Sequence, residues 1–377
     1  MCSSDKSTPI RVCFIAPKAY PLFNPDVKKV FGGAEVDLYF LATELAKDEN
    51  FAVSFITADY GQKDVETIET VRIIKSVDFN KNSLIGAAKL WQAMVAADAQ
   101  IYFQEAVSWG TFLVALFCSL HKRKFVYRTA NQGESDGTFL KRQRLLNRAF
   151  SWSLHKAGAV IVQNKIDKEN LRDSIGIDSM VIPNGQRLLE SDRKKRDTIL
   201  WVGRSSYLKR PELFIKLAED IPDEKFTMIC QEATGDQNYK ALLAEAKEVD
   251  NLQFIEAVPF AEISNYFQQA KVFVNTSDSE GFPNTFIHAC NCATPILSLK
   301  VNPDDFINRH NCGISCNGDW QRMVDSLKDM LQEDRCVEMG GNGKKYVVEH
   351  HDVGKIIKQY KELFKELVKH KDAIPYD

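Results

Sequence analysis

Arg204 and Lys209 stand in the run Trp201-Val202-Gly203-Arg204-Ser205-Ser206-Tyr207-Leu208-Lys209-Arg210-Pro211. The residues before it read as a strand, and Pro211 sits where the first turn of a helix favours proline. Gly203 lets the backbone bend closely, and two cations at a strand end can both reach one anion. A solvated basic loop is the plainer reading of the same residues. A second run, Ser277-Asp278-Ser279-Glu280-Gly281-Phe282-Pro283-Asn284-Thr285-Phe286, follows the strand-like Val272-Phe273-Val274-Asn275. Gly281 permits close backbone approach. Pro283 marks a helix start, whose free N–H groups and dipole favour a phosphate. Two separate strand-end loops thus offer one kind of site.

The elements that must position these loops alternate along the chain. Ile10 to Ala16 reads as a strand, and a proline-punctuated loop ends in Gly32-Gly33. Ala34, Leu38, Leu41, Ala42 and Leu45 then recur at helical spacing, and Ala52 to Thr57 is again a strand. Strand, glycine loop, helix, strand is a βαβ unit and predicts a parallel sheet. The alternation continues through Gln100–Gln104, the apolar helix Trp109–Leu120, Lys124–Arg128, the basic helical segment Leu140–Lys156, Ala159–Gln163 and Met180–Ile182. Pro183-Asn184-Gly185 is a turn signal, and the charged run Glu190–Asp197 marks a domain boundary. A second series follows, with strands at Thr198–Val202, Phe226–Gln231, Leu252–Ile255, Val272–Asn275 and Ile296–Leu299. A last helix from Val353 to about Lys371 places Ile356, Ile357, Tyr360, Leu363, Phe364 and Leu367 on one face, so it is expected to pack. The fold class is therefore α/β, with two doubly wound Rossmann-like domains facing a cleft. Ligands in such sheets sit beyond the carboxyl ends of the strands.

Composition narrows the function. The chain has 377 residues, enough for two domains, and a net charge of −2, which argues against a general nucleic-acid binder. The first nine residues hold no apolar run, so no signal peptide is expected, and Trp109–Leu120 is too short to span a bilayer. Nine cysteines, an odd number, with several in apolar runs, point to reduced thiols and a cytoplasmic setting. Neither Cys290-Asn-Cys292 nor Cys312 with Cys316 has the paired spacing of a zinc site.

Taken together, Gly32-Gly33-Ala34-Glu35, Gly203-Arg204 with Lys209-Arg210-Pro211, Glu280-Gly281-Phe282-Pro283-Asn284 and Ala293-Thr294-Pro295-Ile296 resemble the group 1 glycosyltransferases, the family 4 retaining enzymes of GT-B architecture. The resemblance spans nearly the whole chain. It implies an N-terminal acceptor-side domain, 1–187, completed by the C-terminal helix 353–377, and a sugar-nucleotide-binding domain, 188–352. It also implies that Arg204 and Lys209 pair with the donor diphosphate, beside Gly203. Glu280 would hold hydroxyls of the transferred sugar, with the amides of Gly281, Phe282, Pro283 and Asn284 close by. Gly33 would lie near the donor phosphates, and Val258-Pro259 would line the base. Glu35 resembles the acid at the first motif's helix start.

Two positions depart from the family pattern. The second acid of that pattern, which holds the ribose, is His288 here, and a neutral imidazole lacks its two acceptor oxygens. The family's acceptor-side His is also missing from Arg128-Thr129-Ala130-Asn131-Gln132-Gly133-Glu134-Ser135-Asp136, where Asn131, Glu134 or Asp136 could line the acceptor instead.

The implied reaction moves a hexose-type sugar from a nucleotide-diphosphate sugar to an acceptor hydroxyl, with retention, no metal and no cofactor. Fixed cations and amides stabilise the charge growing on the departing diphosphate. The acceptor is unknown. The basic segment Lys141–Trp152 could touch an anionic membrane, giving peripheral contact at the inner face; a solvated helix face is the plainer reading. The rival functions are a donor-binding or partner subunit with reduced catalysis and a sugar-nucleotide epimerase.

Overall fold

The computed structural model describes residues 8–138, 141, 143–190, 195–233, 235–332 and 335–369. Parts of four expectations lie outside these residues: the first seven residues, with Cys2; Leu140 and Arg142 of the basic segment; 191–194 of the charged run; and 370–377 at the C-terminus. The chain divides into two compact units, one ending at Gly185 and resuming at Val353, the other running from Gln186 to Asp352.

The first unit is built on strands β1 (Ile10–Ile15), β2 (Phe51–Thr57), β3 (Val65–Ile68), β4 (Val71–Lys75), β5 (Ile101–Glu105), β6 (Lys124–Arg128), β7 (Ala159–Val162) and β8 (Met180–Val181). Their order across the sheet is β3-β4-β2-β1-β5-β6-β7-β8. All pairings are parallel except the edge hairpin β3–β4. β1 and β5 are neighbours although β2 to β4 intervene in sequence, so the winding reverses between them. Central strands buried on both faces are near-continuous apolar runs, as β1 and β5 are here. On one face Phe14 stacks near Phe55 and Phe103, and the returning helix Val353–Lys369 closes over them with Tyr360 and Phe364. Each such ring contributes about 2–3 kcal/mol by leaving water. The predicted stripe of six apolar residues on that helix is the face that is buried.

The second unit carries β9 (Thr198–Arg204), β10 (Phe226–Gln231), β11 (Leu252–Ile255), β12 (Ala270–Asn275), β13 (Ile296–Ser298) and β14 (Gly313–Ser315). The order is β11-β10-β9-β12-β13-β14, all parallel. Here the reversal falls between β9 and β12, the strands that lead into the two candidate loops. Apolar cores fill both faces of the sheet. The helix Arg335–His350 packs against the helix Asn284–Asn291 through glycines. A Cβ at Gly340 would lie 2.0 Å from the Ala293 carbonyl oxygen, and one at Gly343 2.8 Å from Cys290 Sγ. This contact fixes the helix that begins at the second loop. The described cysteines are all unpaired thiols, buried except for half-buried Cys336.

Candidate functional site

In the second unit, β9 and β12 run side by side, so their exit loops meet beyond the carboxyl edge of the sheet at the reversal of strand order. Three hydrogen bonds lace them together. Thr276 Oγ1 accepts from the Trp201 indole at 3.0 Å and donates to the Lys209 carbonyl at 2.8 Å. The Asp278 amide donates to the Leu208 carbonyl at 2.8 Å. Gly203 is required by this packing, because a Cβ there would lie 2.7 Å from the Trp201 ring.

Lys209 Nζ and Glu280 Oε2 are 2.5 Å apart, one from each loop. The other carboxylate oxygen, Oε1, accepts from Ser277 Oγ at 2.7 Å and from Asn275 Nδ2 at 3.2 Å. Burial pushes the Glu280 carboxyl up, but the Lys209 charge and the hydrogen bonds from Lys209, Ser277 and Asn275 outweigh it and hold the group below its ordinary value. It is an ionised carboxylate in a nearly closed setting. Around this pair Arg210 bonds to Glu212 and Asp278, and Lys300 reaches Asp278 from the end of β13. Arg210 adopts the left-handed conformation, φ +49°, as the cap before Pro211 opens the next helix. Arg204, the last residue of β9, is exposed.

The helix expected at Pro283 begins at Asn284 with Pro283 as its cap. Gly281, Phe282 and Pro283 are buried and Asn284 is half-buried. Half-buried Val258 and exposed Pro259 follow β11 at the same edge of the sheet. Gly203, Arg204, Lys209, Val258, Pro259 and Glu280 to Asn284 thus all lie at or just beyond one edge of one unit.

His288 is placed otherwise. It is 8% exposed, stacks on Phe267 at 5.6 Å and meets Phe260 edge-on at 6.0 Å. The Gln186 amide donates to its Nε2 at 3.0 Å, so the ring is neutral with its proton on Nδ1. Burial pushes its pKa down to about 4. This is the setting of a packed core residue.

In the first unit, exposed Gly33 starts the helix Gly33–Leu45 beyond β1. Glu35 caps that helix, its Oε2 accepting from the Gly32 amide at 2.8 Å. Among the acceptor-side candidates, Glu134 is turned inward. Its carboxylate accepts from Tyr127 Oη at 2.7 Å, Asn131 Nδ2 at 2.9 Å, the Ala130 amide at 3.2 Å and the Val107 amide at 3.4 Å. It thereby clamps the loops that follow β5 and β6, and Asn131 is spent on the same clamp. Burial raises the Glu134 carboxyl to about 7. Asp136, half-buried, accepts from the Thr138 amide and hydroxyl and shapes the next turn.

Sequence reasoning gave no role to Asn275, Thr276 or Ser277, although Ser277 opens the second loop. Only Asn275, a polar residue ending an apolar strand, carried a signal that could have found it. It also missed Arg128, buried between Glu105 and Asp37 and bonded to Asn184 at the end of the first unit.

Two α/β units on largely parallel sheets, one with cations and a half-buried acid on adjacent strand-end loops, have the GT-B architecture. A family model described as "Glycosyl transferases group 1" matches residues 189–346, and one described as "Glycosyltransferase Family 4" matches 31–187. The two models together span most of the chain, which belongs to the group 1 glycosyltransferases. It is 28% identical over 158 residues to D-inositol 3-phosphate glycosyltransferase of Paenarthrobacter aurescens, a match covering 39% of each chain. It is 25% identical over 147 residues to the O-antigen biosynthesis glycosyltransferase WbnH of Escherichia coli, covering 37% of this chain and 40% of that protein. The matches thus span about two fifths of these curated relatives. Among solved structures, sucrose-phosphate synthase from Thermosynechococcus elongatus superposes with a TM-score of 0.78 at 18% identity, over 96% of this chain and all of the other. Anabaena Alr3699/HepE in complex with UDP-glucose gives 0.70 at 14% identity, over 94% and 99% of the two chains.

Proposed function

We propose that this chain transfers a hexose-type sugar from a nucleotide-diphosphate sugar to an acceptor hydroxyl, with retention and without a metal ion. The observation that carries the reading is the meeting of Lys209 and ionised Glu280 on adjacent strand-end loops, beside the start of the helix Asn284–Asn291. Lys209 and Arg204 supply positive charge where the diphosphate leaves, and the helix start adds its dipole. Glu280 offers a carboxylate oxygen to the sugar hydroxyls. A UDP-sugar is bound in the Anabaena structure, which supports a donor of that class. In a front-face route the departing diphosphate takes the acceptor proton, and no protein nucleophile is needed. The acceptor is a glycan, a lipid-linked sugar or a small molecule. Peripheral membrane contact belongs to the same reading. In its favour, the helix Arg144–His155 exposes Arg144, Leu145 and Arg148 while burying Leu146, Phe150 and Leu154. Among the described residues no helix is long and apolar enough to cross a membrane.

The test is a thermal-shift series with UDP, GDP, ADP and their sugars, followed by transfer or donor hydrolysis with the sugar nucleotide that binds. Ligand at 100 times Kd stabilises the fold by about 2.7 kcal/mol. Glu280→Ala is expected to abolish turnover. No stabilisation by any nucleotide, together with no donor cleavage, would sink the proposal. A donor-binding subunit without turnover is the second reading, favoured by the inward placement of His288. It predicts binding of the same nucleotide with no transfer or cleavage by the native chain.

A further inference from the structure

The Glu280 carboxylate is held in two unlike ways. Oε2 faces Lys209, a cation from the other loop that the proposed function assigns to the donor diphosphate. Oε1 faces only neutral donors from its own segment, Ser277 Oγ and Asn275 Nδ2. Asn275 is the final residue of β12 and is 4% exposed. Its backbone is locked into the sheet, where its carbonyl accepts from the Leu299 amide at 2.9 Å. Its side chain does three things from that fixed base. Oδ1 accepts from the Ser277 amide at 3.2 Å and turns the chain out of the strand. Nδ2 donates to Ser277 Oγ at 3.3 Å and to Glu280 Oε1. An apolar side chain would satisfy the burial but none of these bonds.

We propose that Asn275 is a positioning residue for the donor site. With Ser277 it clamps Glu280 Oε1 so that Lys209 can exchange Glu280 for the donor diphosphate, leaving Oε2 free and correctly aimed for a sugar hydroxyl. The argument rests on the donor reading above. When Lys209 turns to the phosphates, Glu280 loses its cation while remaining nearly closed off from water. A buried carboxylate without a partner is costly. It would take up a proton or swing away unless neutral donors hold it. Hydrogen bonds to the charged form favour that form, and here they come from a strand end that does not move with the ligand. The charged groups near the carboxylate are Lys209 on the facing loop and, on its own loop, Asp278, itself bonded to Arg210 and Lys300.

The experiment compares a nucleotide sugar with its own free diphosphate on the full chain. The probes are UDP-glucose with UDP, GDP-mannose with GDP and ADP-glucose with ADP, measured by calorimetry from pH 5 to pH 8. The wild-type chain is expected to bind one sugar nucleotide more tightly than its diphosphate, with a ratio flat across that range. In Asn275→Leu the ratio at pH 7 should fall about tenfold to a hundredfold, the size of one hydrogen bond to a charged group. The remaining preference should weaken further towards pH 5. Asn275→Asp, which sets a second carboxylate against Glu280, should lose more. Ser277→Ala removes a donor from the same oxygen without changing the strand, so it tests the clamp even if the Asn275 variants fail to fold. A merely structural role would weaken diphosphate and sugar nucleotide equally. Equal weakening, or no change in the ratio for folded variants, overturns the inference. Absence of binding to every probe by the wild-type chain overturns the donor reading and takes the inference with it.

Discussion

Lowering the pH from 7 to 5 should destabilise the second unit through one residue, His288. The ring titrates near 6.5 in the unfolded chain and near 4 in the fold, where burial disfavours its charge. Above pH 6.5 both states are neutral and nothing is lost. As the pH falls from 6.5 towards 4, the unfolded chain takes up a proton that the folded chain refuses, so unfolding is pulled forward. The full loss below pH 4 is about 3 kcal/mol, and at pH 5 about 2 kcal/mol. Protonation inside the fold is opposed twice. The charge would sit between Phe267 and Phe260, and the new Nε2–H would point at the Gln186 amide donor. His288→Gln removes the titration and can still accept from Gln186. The assay is thermal unfolding of both proteins at pH 7 and pH 5. The native chain should lose about 4–8 °C more than the variant for a unit of this size. Parallel losses in the two proteins would refute the reasoning. A tenfold fall in nucleotide affinity for His288→Gln at pH 7, with unfolding unchanged, would instead restore the ribose role that the family pattern implies.

Gly340→Ala places a methyl 2.0 Å from the Ala293 carbonyl, so the helices Arg335–His350 and Asn284–Asn291 must part. A loss of about 1–3 kcal/mol or more is expected in denaturant titration, with weaker nucleotide binding because the second helix starts at the site. An unchanged midpoint would show that the helices can slide apart freely. Membrane contact predicts that the chain pellets with vesicles containing phosphatidylserine and not with pure phosphatidylcholine. Arg144→Glu should weaken this several-fold, given about 1 kcal/mol per basic residue near an anionic surface; equal pelleting with both vesicles would refute the contact.

Much of the fold was legible because its elements advertise themselves. Parallel strands buried on both faces are rich in apolar residues, and β1, β5, β6, β7, β9, β10 and β12 each carry an apolar stretch, with polar residues mostly at their ends. The C-terminal helix carried its buried stripe in plain periodicity. The antiparallel edge hairpin β3–β4 was not read, because Val65–Ile68 is only four residues long and none of them is fully buried. The short β14 has only three residues, and it depends on the β13 neighbour it joins.

The chemistry of the two loops was fully present in residue types. Glycines, cations, an acid and a proline at strand ends are the residue types that suit a phosphate, and they can be read without the fold because the backbone needs of such a loop are local. What the tertiary structure decided were the partners. Only the adjacency of β9 and β12 brings Lys209 against Glu280, and only the direction in which a helix buries its face turns His288 towards Phe267 and Gln186. Glu134 likewise became a clamp because Tyr127, Asn131 and the amides of Val107 and Ala130 converge on it. A side chain's identity states which bonds it can make; the packing of distant segments selects which of them it does make.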